Sequence, residues 1–313
     1  MFKQVVLVLT ATLLMATGPF VTAFSQNTTG GYDYEPTAVI LMVELVKLLV
    51  SVVGYAILPE NKRSHRLLSA RDVVRFAIPA LVYALNNNLL FLILQHIKPS
   101  IFQLLSATKA MFTALLFRLL LRRRLSATQY IAIAVLAGGA AVSRLSSRQE
   151  ESQRSTEALG VLLTLVSCVA SSFGGVTNEL LLKREGAFHH LTLQNSLLYV
   201  WGVIFNGGAF LITTRASTPP WVGYNARVGL LIATTSATGL SISIVLKLLD
   251  NLVRVLAHAA ATLISLCIET AVARRLPQAE LVLAIWIVSF ATILYARETP
   301  PQPISSRQAI VGN

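Results

Sequence analysis

Lys109 sets the first chemical question. It stands near the middle of an apolar stretch, SIFQLLSATKAMFTALLFRLLLRRRL, which runs from Ser100 to Leu125 and is long enough as a helix to cross a bilayer. A lone cation at that depth costs roughly 2.5–3.5 kcal/mol on insertion scales, so it has to meet an anion or water. The residues three and four positions away are Leu105, Ser106, Phe112 and Thr113, none of them acidic, which excludes neutralisation within one helical turn. The partner must come from another helix, a water-filled cavity or a substrate.

Other polar groups interrupt the neighbouring apolar runs. Glu44 and Lys47 stand three residues apart on one helical face and read either as a self-neutralising pair or as a charge relay beside a cavity. Tyr83 and Asn87 share a stripe, and the consecutive amides Asn86, Asn87 and Asn88 cover nearly three faces of a helix. At least one amide must then turn inward and find a partner. Asn195 and Tyr199 share another face, suited to stacking on a base and hydrogen-bonding to it. Lys247, Asp250 and Arg254 follow at three- and four-residue spacing, where one carboxylate can neutralise one cation and leaves the second over.

The chemistry this points to is binding. The sequence has no Walker loop, HExxH, CxxC or GxSxG motif, and His189 and His190 lack further ligand spacing, so we expect no enzyme, no metal site and no cofactor. Cys168 and Cys267 both lie in apolar runs and are not expected to pair.

These residues need helices in a membrane to position them. Of 313 residues, 54% are hydrophobic and only 13% charged, about half the charged share of a soluble domain, which implies an all-α membrane protein. The net charge of +12 sits in short connections between apolar spans, so it is read as topogenic and lipid-facing rather than as a nucleic-acid surface. Ten transmembrane helices can be drawn, over 4–24, 37–58, 73–96, 100–121, 126–143, 158–182, 194–214, 227–249, 251–272 and 279–296. The first is read as a retained span, because its apolar run is longer than a signal h-region. Sixteen basic residues fall on the side that holds both termini against eight opposite, which predicts cytosolic termini. The sequon Asn27-Thr28-Thr29 then lies in the first lumenal loop as a glycosylation candidate.

A shift of 151 residues lays LSATKAMFTALLFRLLLRRRLS, from Leu105, over LAHAAATLISLCIETAVARRLP, from Leu256. The shift spans five helices, an odd number, so the copies would be inverted relative to the membrane, the usual build of secondary transporters. The expected organisation is two inverted five-helix repeats, 1–145 and 158–298, joined by a lumenal connector, 146–157, and followed by a Pro- and Ser-rich disordered cytosolic tail, 299–313.

The segments VELVKLL, VYALNNNLLF, FQLLSATK with RRRLS, GVTNELLLK, LQNSLLYVWGVIFN and LKLLDNLVR, in this order, cover most of the chain. Together they resemble the nucleotide-sugar transporter family of the drug/metabolite transporter superfamily, nearest the CMP-sialic acid and UDP-galactose branch. The resemblance implies exchange of a cytosolic nucleotide sugar, CMP- or UDP-linked, for lumenal nucleoside monophosphate across a Golgi or endoplasmic reticulum membrane. By matching positions, Glu44 and Lys47 would line the cavity and Tyr83 and Asn87 would face the nucleotide. Lys109 would pair with the phosphate, and Asn195 and Tyr199 would contact the base or ribose. Arg254 stands where relatives carry lysine and would complete the phosphate clamp. Leu197 and Trp201 depart from the family's glutamine and serine. Glycine-rich faces permit a homodimer. Two alternatives stay open on sequence: another carrier of a phosphorylated metabolite, and a membrane scaffold without transport.

Overall fold

The structure is a computed structural model that describes residues 2–59, 69–109, 111–113, 115–116, 126–128, 130–132, 134–135, 151–183, 190–213, 219, 221–248, 257, 260–265, 267–268, 270–271, 274 and 279–297. Among them the principal elements are helices and no strand occurs: α1 (Phe2–Phe24), α2 (Pro36–Ala56), α3 (Ala70–Arg75), α4 (Ala77–His96), α5 (Pro99–Ser106), α6 (Glu151–Lys183), α7 (Leu191–Thr213), α8 (Ala226–Leu248) and α9 (Ala279–Arg297). Six segments among the described residues are long and apolar enough to cross a membrane: Val6–Phe24, Pro36–Ala56, Ala70–His96, Glu157–Leu182, Leu191–Thr213 and Ala226–Val245. They match six of the expected spans, and α9 coincides with the last one. Much of 100–121, 126–143 and 251–272 lies outside the described residues, as does the tail 299–313.

Helix starts follow local rules. Pro36 and Pro99 open α2 and α5, where a missing N–H leaves no bond unmade. Ser69 caps α3 by accepting from the Arg71 N–H at 3.3 Å, and Asn225 caps α8 by accepting from the Arg227 and Val228 N–H groups at 2.9 and 3.1 Å. His190 accepts from the Thr192 N–H at 3.3 Å and so acts as a cap for α7. Helix α6 begins at Glu151, so the second half of the expected connector 146–157 is helical.

Burial is inverted relative to a soluble protein. Leu49, Leu85, Leu162, Ile204 and Leu211 project outward from the spans, while Glu44, Lys47, Gln194, Asn195 and Asn206 are buried between them. The apolar face meets lipid, and the polar groups face one another. The most extensive packing is of α2 on α7, α4 on α6 and α1 on α8, followed by α4 on α7 and α2 on α8.

At one end the loop joining α1 to α2 is strapped across the bundle. Tyr32 donates to the Phe91 carbonyl at 3.1 Å, Gln26 donates to the Leu94 carbonyl at 3.0 Å, and the Ser25 and Tyr34 hydroxyls share a hydrogen bond. Tyr32, Tyr34, Phe91 and Tyr224 form an aromatic cluster over Val39, Val228 and Leu231. Burial pushes the Tyr32 and Tyr224 phenols up to about 12, with a hydrogen bond from Gln26 opposing it at Tyr32, and burial also raises Tyr34. The cluster therefore stays neutral through the physiological range.

Gly223, with φ +78°, closes the strap. A Cβ there would lie 2.1 Å from the Asp33 carbonyl oxygen. Both the left-handed backbone and the close approach require glycine. We predict that Gly223→Val lowers stability by about 2–3 kcal/mol, read as a fall of several degrees in thermal unfolding in detergent. A variant that melts with the wild type would show that this contact does not fasten the loop.

Candidate functional site

The polar residues buried between the spans converge on a central cavity of about 320 Å³. Residues from α1, α2, α4, α6, α7 and α8 line it, together with α5 and the residues that follow α5. Six of the eight substrate-binding residues expected from sequence are in its wall: Glu44, Lys47, Tyr83, Asn87, Lys109 and Tyr199. Asn195 is buried but does not line the cavity, and Arg254 lies outside the described residues.

Glu44 and Lys47 form an ion pair of 2.6 Å within α2, nearly sealed from solvent. Two glycines make room for it. A Cβ at Gly202 of α7 would lie 2.6 Å from the Glu44 carboxylate, and one at Gly239 of α8 would lie 2.9 Å from Lys47 Cδ. The Lys47 ammonium also sits 4.5 Å from the centroid of the Tyr199 ring, whose hydroxyl is 3.3 Å from that of Ser243 on α8. One buried pair on α2 thus touches two other helices.

The three consecutive amides divide their work by face. Asn86 accepts from Ser167 of α6 at 2.6 Å, while Asn88 donates to Asn206 of α7 at 2.9 Å. Asn87, between them, lines the cavity. Asn86 and Asn88 fasten α4 to its neighbours, and Asn86, beside its bond to Ser167, shares the cavity wall with Asn87.

Lys109 stands just past a break. The sequence predicts a continuous helix over 100–121, but the regular helix α5 ends at Ser106, and the Ala107 and Thr108 N–H groups fall back on Leu104 and Leu105 at 3.2 and 3.0 Å. Helical backbone resumes at Lys109. No proline or glycine marks the interruption, so the pattern of residues did not reveal it. Side chains take up the carbonyls beside it: Thr108 Oγ1 donates to Leu105 at 2.7 Å, and Ser172 of α6 donates to Lys109 at 3.0 Å. The Lys109 ammonium lies 5.8 Å from the centroid of Phe102.

Sequence reasoning missed several wall residues. Gln103 and Ser243 line the cavity, and Gln103 also ties α5 to α1 by donating to the Met15 carbonyl at 2.5 Å. Ser106, Gly202 and Gly239 are also there, and a signal could have been read only from their helical faces. The departures from the family pattern at Leu197 and Trp201 do not line it. Leu197 packs in an apolar cluster with Phe76 and Leu198, and Trp201 stacks on Phe205 and donates to the Val73 carbonyl at 2.9 Å. Asn27 folds into a turn in which its side-chain oxygen accepts from Thr29 and Gly31 and its amide donates to Asp33 at 2.8 Å. Its role as a glycosylation acceptor stays an expectation.

Comparison with known proteins agrees with this architecture. A profile of the nucleotide-sugar transporter family matches residues 1–296. The CMP-sialic acid transporter 1 of Arabidopsis thaliana is 30% identical over 300 residues, covering 91% of this chain and 87% of that protein. A probable UDP-sugar transporter of Xenopus tropicalis is 32% identical over 254 residues, covering 79% of this chain and 77% of that protein. A solved crystal structure superposes with a TM-score of 0.62 at 15% identity, over 92% of this chain and 94% of that one, a likeness of fold. With a membrane-embedded polar cavity at its centre, the chain belongs to the nucleotide-sugar transporter family.

Proposed function

We propose that this protein is an antiporter that exchanges a cytosolic nucleotide sugar, CMP- or UDP-linked, for lumenal nucleoside monophosphate by alternating access in a Golgi or endoplasmic reticulum membrane. The observation that carries the reading is the charge and chemistry of the cavity. Its described lining holds two cations, Lys47 and Lys109, and one anion, Glu44, among amides, hydroxyls and phenols. Glu44 neutralises Lys47, and Lys109 brings a second positive charge to the described lining. A phosphate compensates that charge, and the phenols and amides suit a planar, hydrogen-bonding base. Lys109 is assigned the phosphate, Tyr83 and Asn87 the nucleotide, and Tyr199 the base or ribose, while Asn195 acts from behind the wall and Arg254 completes the clamp.

The packing of six of the ten expected helices is in keeping with two inverted repeats. Exchanging α1, α2 and α4 with α6, α7 and α8 sends the α2–α7 contact to itself, α4–α6 to α8–α1 and α4–α7 to α8–α2. Helices that trade places in this way belong to equivalent halves, with the cavity at their interface. Both termini are then cytosolic, as the basic residues predict, and the aromatic strap lies on the lumenal side. The names of the relatives, CMP-sialic acid and UDP-sugar transporters, support a pyrimidine nucleotide as the common part of the substrate.

The direct test is thermal stabilisation of the purified protein by CMP, UMP, GMP and AMP, with Lys109→Ala alongside. A shift of several degrees with one pyrimidine nucleotide, lost in Lys109→Ala, is expected. Folded wild-type protein that ignores all four would overturn the carrier reading.

The ion pair makes a second prediction. Glu44→Gln alone leaves Lys47 buried without its anion and should cost about 3–5 kcal/mol of stability. Glu44→Gln combined with Lys47→Met should regain most of the melting temperature yet exchange poorly in proteoliposomes. Normal exchange by the double variant would reduce the pair to a packing device.

A further inference from the structure

We propose that Asn178 is a specificity-determining contact of this cavity, its side-chain oxygen accepting a hydrogen bond from an N–H or O–H of the group esterified to the bound phosphate. This rests on the carrier reading above and assigns it a residue that the resemblance did not.

Helix α6 faces the cavity with Ser167, Ser171, Gly175 and Asn178, spaced by four, four and three residues, which is one helical stripe. The stripe's members are not equivalent. Ser167 is already committed to Asn86. Asn178 is only 2% exposed, and its Oδ1 has no hydrogen-bond partner among the described residues. Buried amide oxygens in folded proteins are almost always paired, because an unpaired one forfeits its hydration with nothing in return. The oxygen is closed off while the cavity is empty, and a turn of the amide about its soft terminal torsion brings it to a donor when the cavity is filled.

Position tells which part of a ligand would reach it. Ser172 holds the Lys109 carbonyl and so fixes where the cation's backbone meets α6. Asn178 lies six residues farther along the same helix, about 9 Å at ~1.5 Å per residue. A phosphate at Lys109 places its ester-linked nucleoside or sugar within that span. A carbonyl oxygen there welcomes a hydroxyl or amine and rejects a group that offers only acceptors, since two facing acceptors would both stay unpaired.

The test compares wild type, Asn178→Leu and Asn178→Thr by binding of CMP, UMP and their nucleotide sugars and by the melting temperature of the ligand-free protein. Leucine removes the orphaned acceptor, so ligand-free Asn178→Leu should melt at or above the wild type. Its affinity for the preferred ligand should fall about tenfold or more, with discrimination between ligands compressed. Threonine keeps an acceptor and should lie between the two. A loss shared by monophosphate and nucleotide sugar places the donor on the nucleoside, and a loss confined to the nucleotide sugar places it on the sugar. Unchanged affinities and ranking in Asn178→Leu, or a ligand-free melting temperature several degrees below wild type, would overturn the assignment while leaving the carrier reading intact. Wild-type protein that binds none of these ligands would remove the carrier reading and this assignment together.

Discussion

A charge inside a bilayer must be answered by another charge, by a dipole or by water, and this requirement organises the bundle. Glu44 and Lys47 answer each other on α2, but a bare ion pair on a helix surface would still face hydrocarbon. It is covered instead by Gly202 and Gly239, whose missing side chains let α7 and α8 close onto the pair, and by the ring of Tyr199. Helix approach, charge neutralisation and cavity wall are one arrangement. Enlarging either glycine would press on the pair, and breaking the pair would leave a buried ion against two helix backbones.

The interruption after α5 answers a different need. A lysine on an unbroken helix is aimed by the regular helical twist, whereas one that follows two i→i−3 bonds is rotated from that direction by the tighter turn. Broken backbone is tolerated at membrane depth only where protein covers it, and here α6 does so through Ser172, with Cys168 close to the Leu105 carbonyl. Helix α6 thereby serves two purposes, sealing the break with one set of side chains and presenting Asn178 to the cavity with another.

Much of this was legible from sequence because the membrane imposes simple rules. Apolar runs gave six of the spans and the last helix, and the three-residue spacing of Glu44 and Lys47 gave their pairing. The run Asn86-Asn87-Asn88 could not face one way, and the structure turns Asn86 and Asn87 to the cavity, Asn86 also bonding to α6, while Asn88 turns to α7. What stayed hidden depends on depth and on neighbours. Asn195 shares a stripe with Tyr199 but sits one turn nearer the start of α7, beside Gln194, which receives Lys247 at 3.2 Å, and so it falls outside the cavity wall. Trp201 departs from the family's serine, yet it lies outside the cavity wall and its indole holds the end of α3. The glycines that receive the ion pair come from two other helices, and no periodicity within α2 announces them.

The two ends of the bundle are fastened by different chemistry, which bears on how such a carrier would move. At the strap, the phenols of Tyr32, Tyr34 and Tyr224 are neutral across the physiological range, so their contacts carry no charge to be titrated there. Opening it must separate aromatic contacts and lift Gly223 from Asp33. At the other end, Lys247 of α8 reaches the Leu182 carbonyl of α6 at 2.7 Å and the Gln194 amide of α7. Under the exchange mechanism proposed here, one gate is held by aromatic packing with hydrogen bonds between neutral groups, and the other by hydrogen bonds to an ammonium. The first weakens as apolar surface is exposed, while the second can trade its partners for water. A ligand that favours either closed state has to supply only the difference between the two, and a lysine in the cavity wall between the gates is within reach of a phosphate entering from either side.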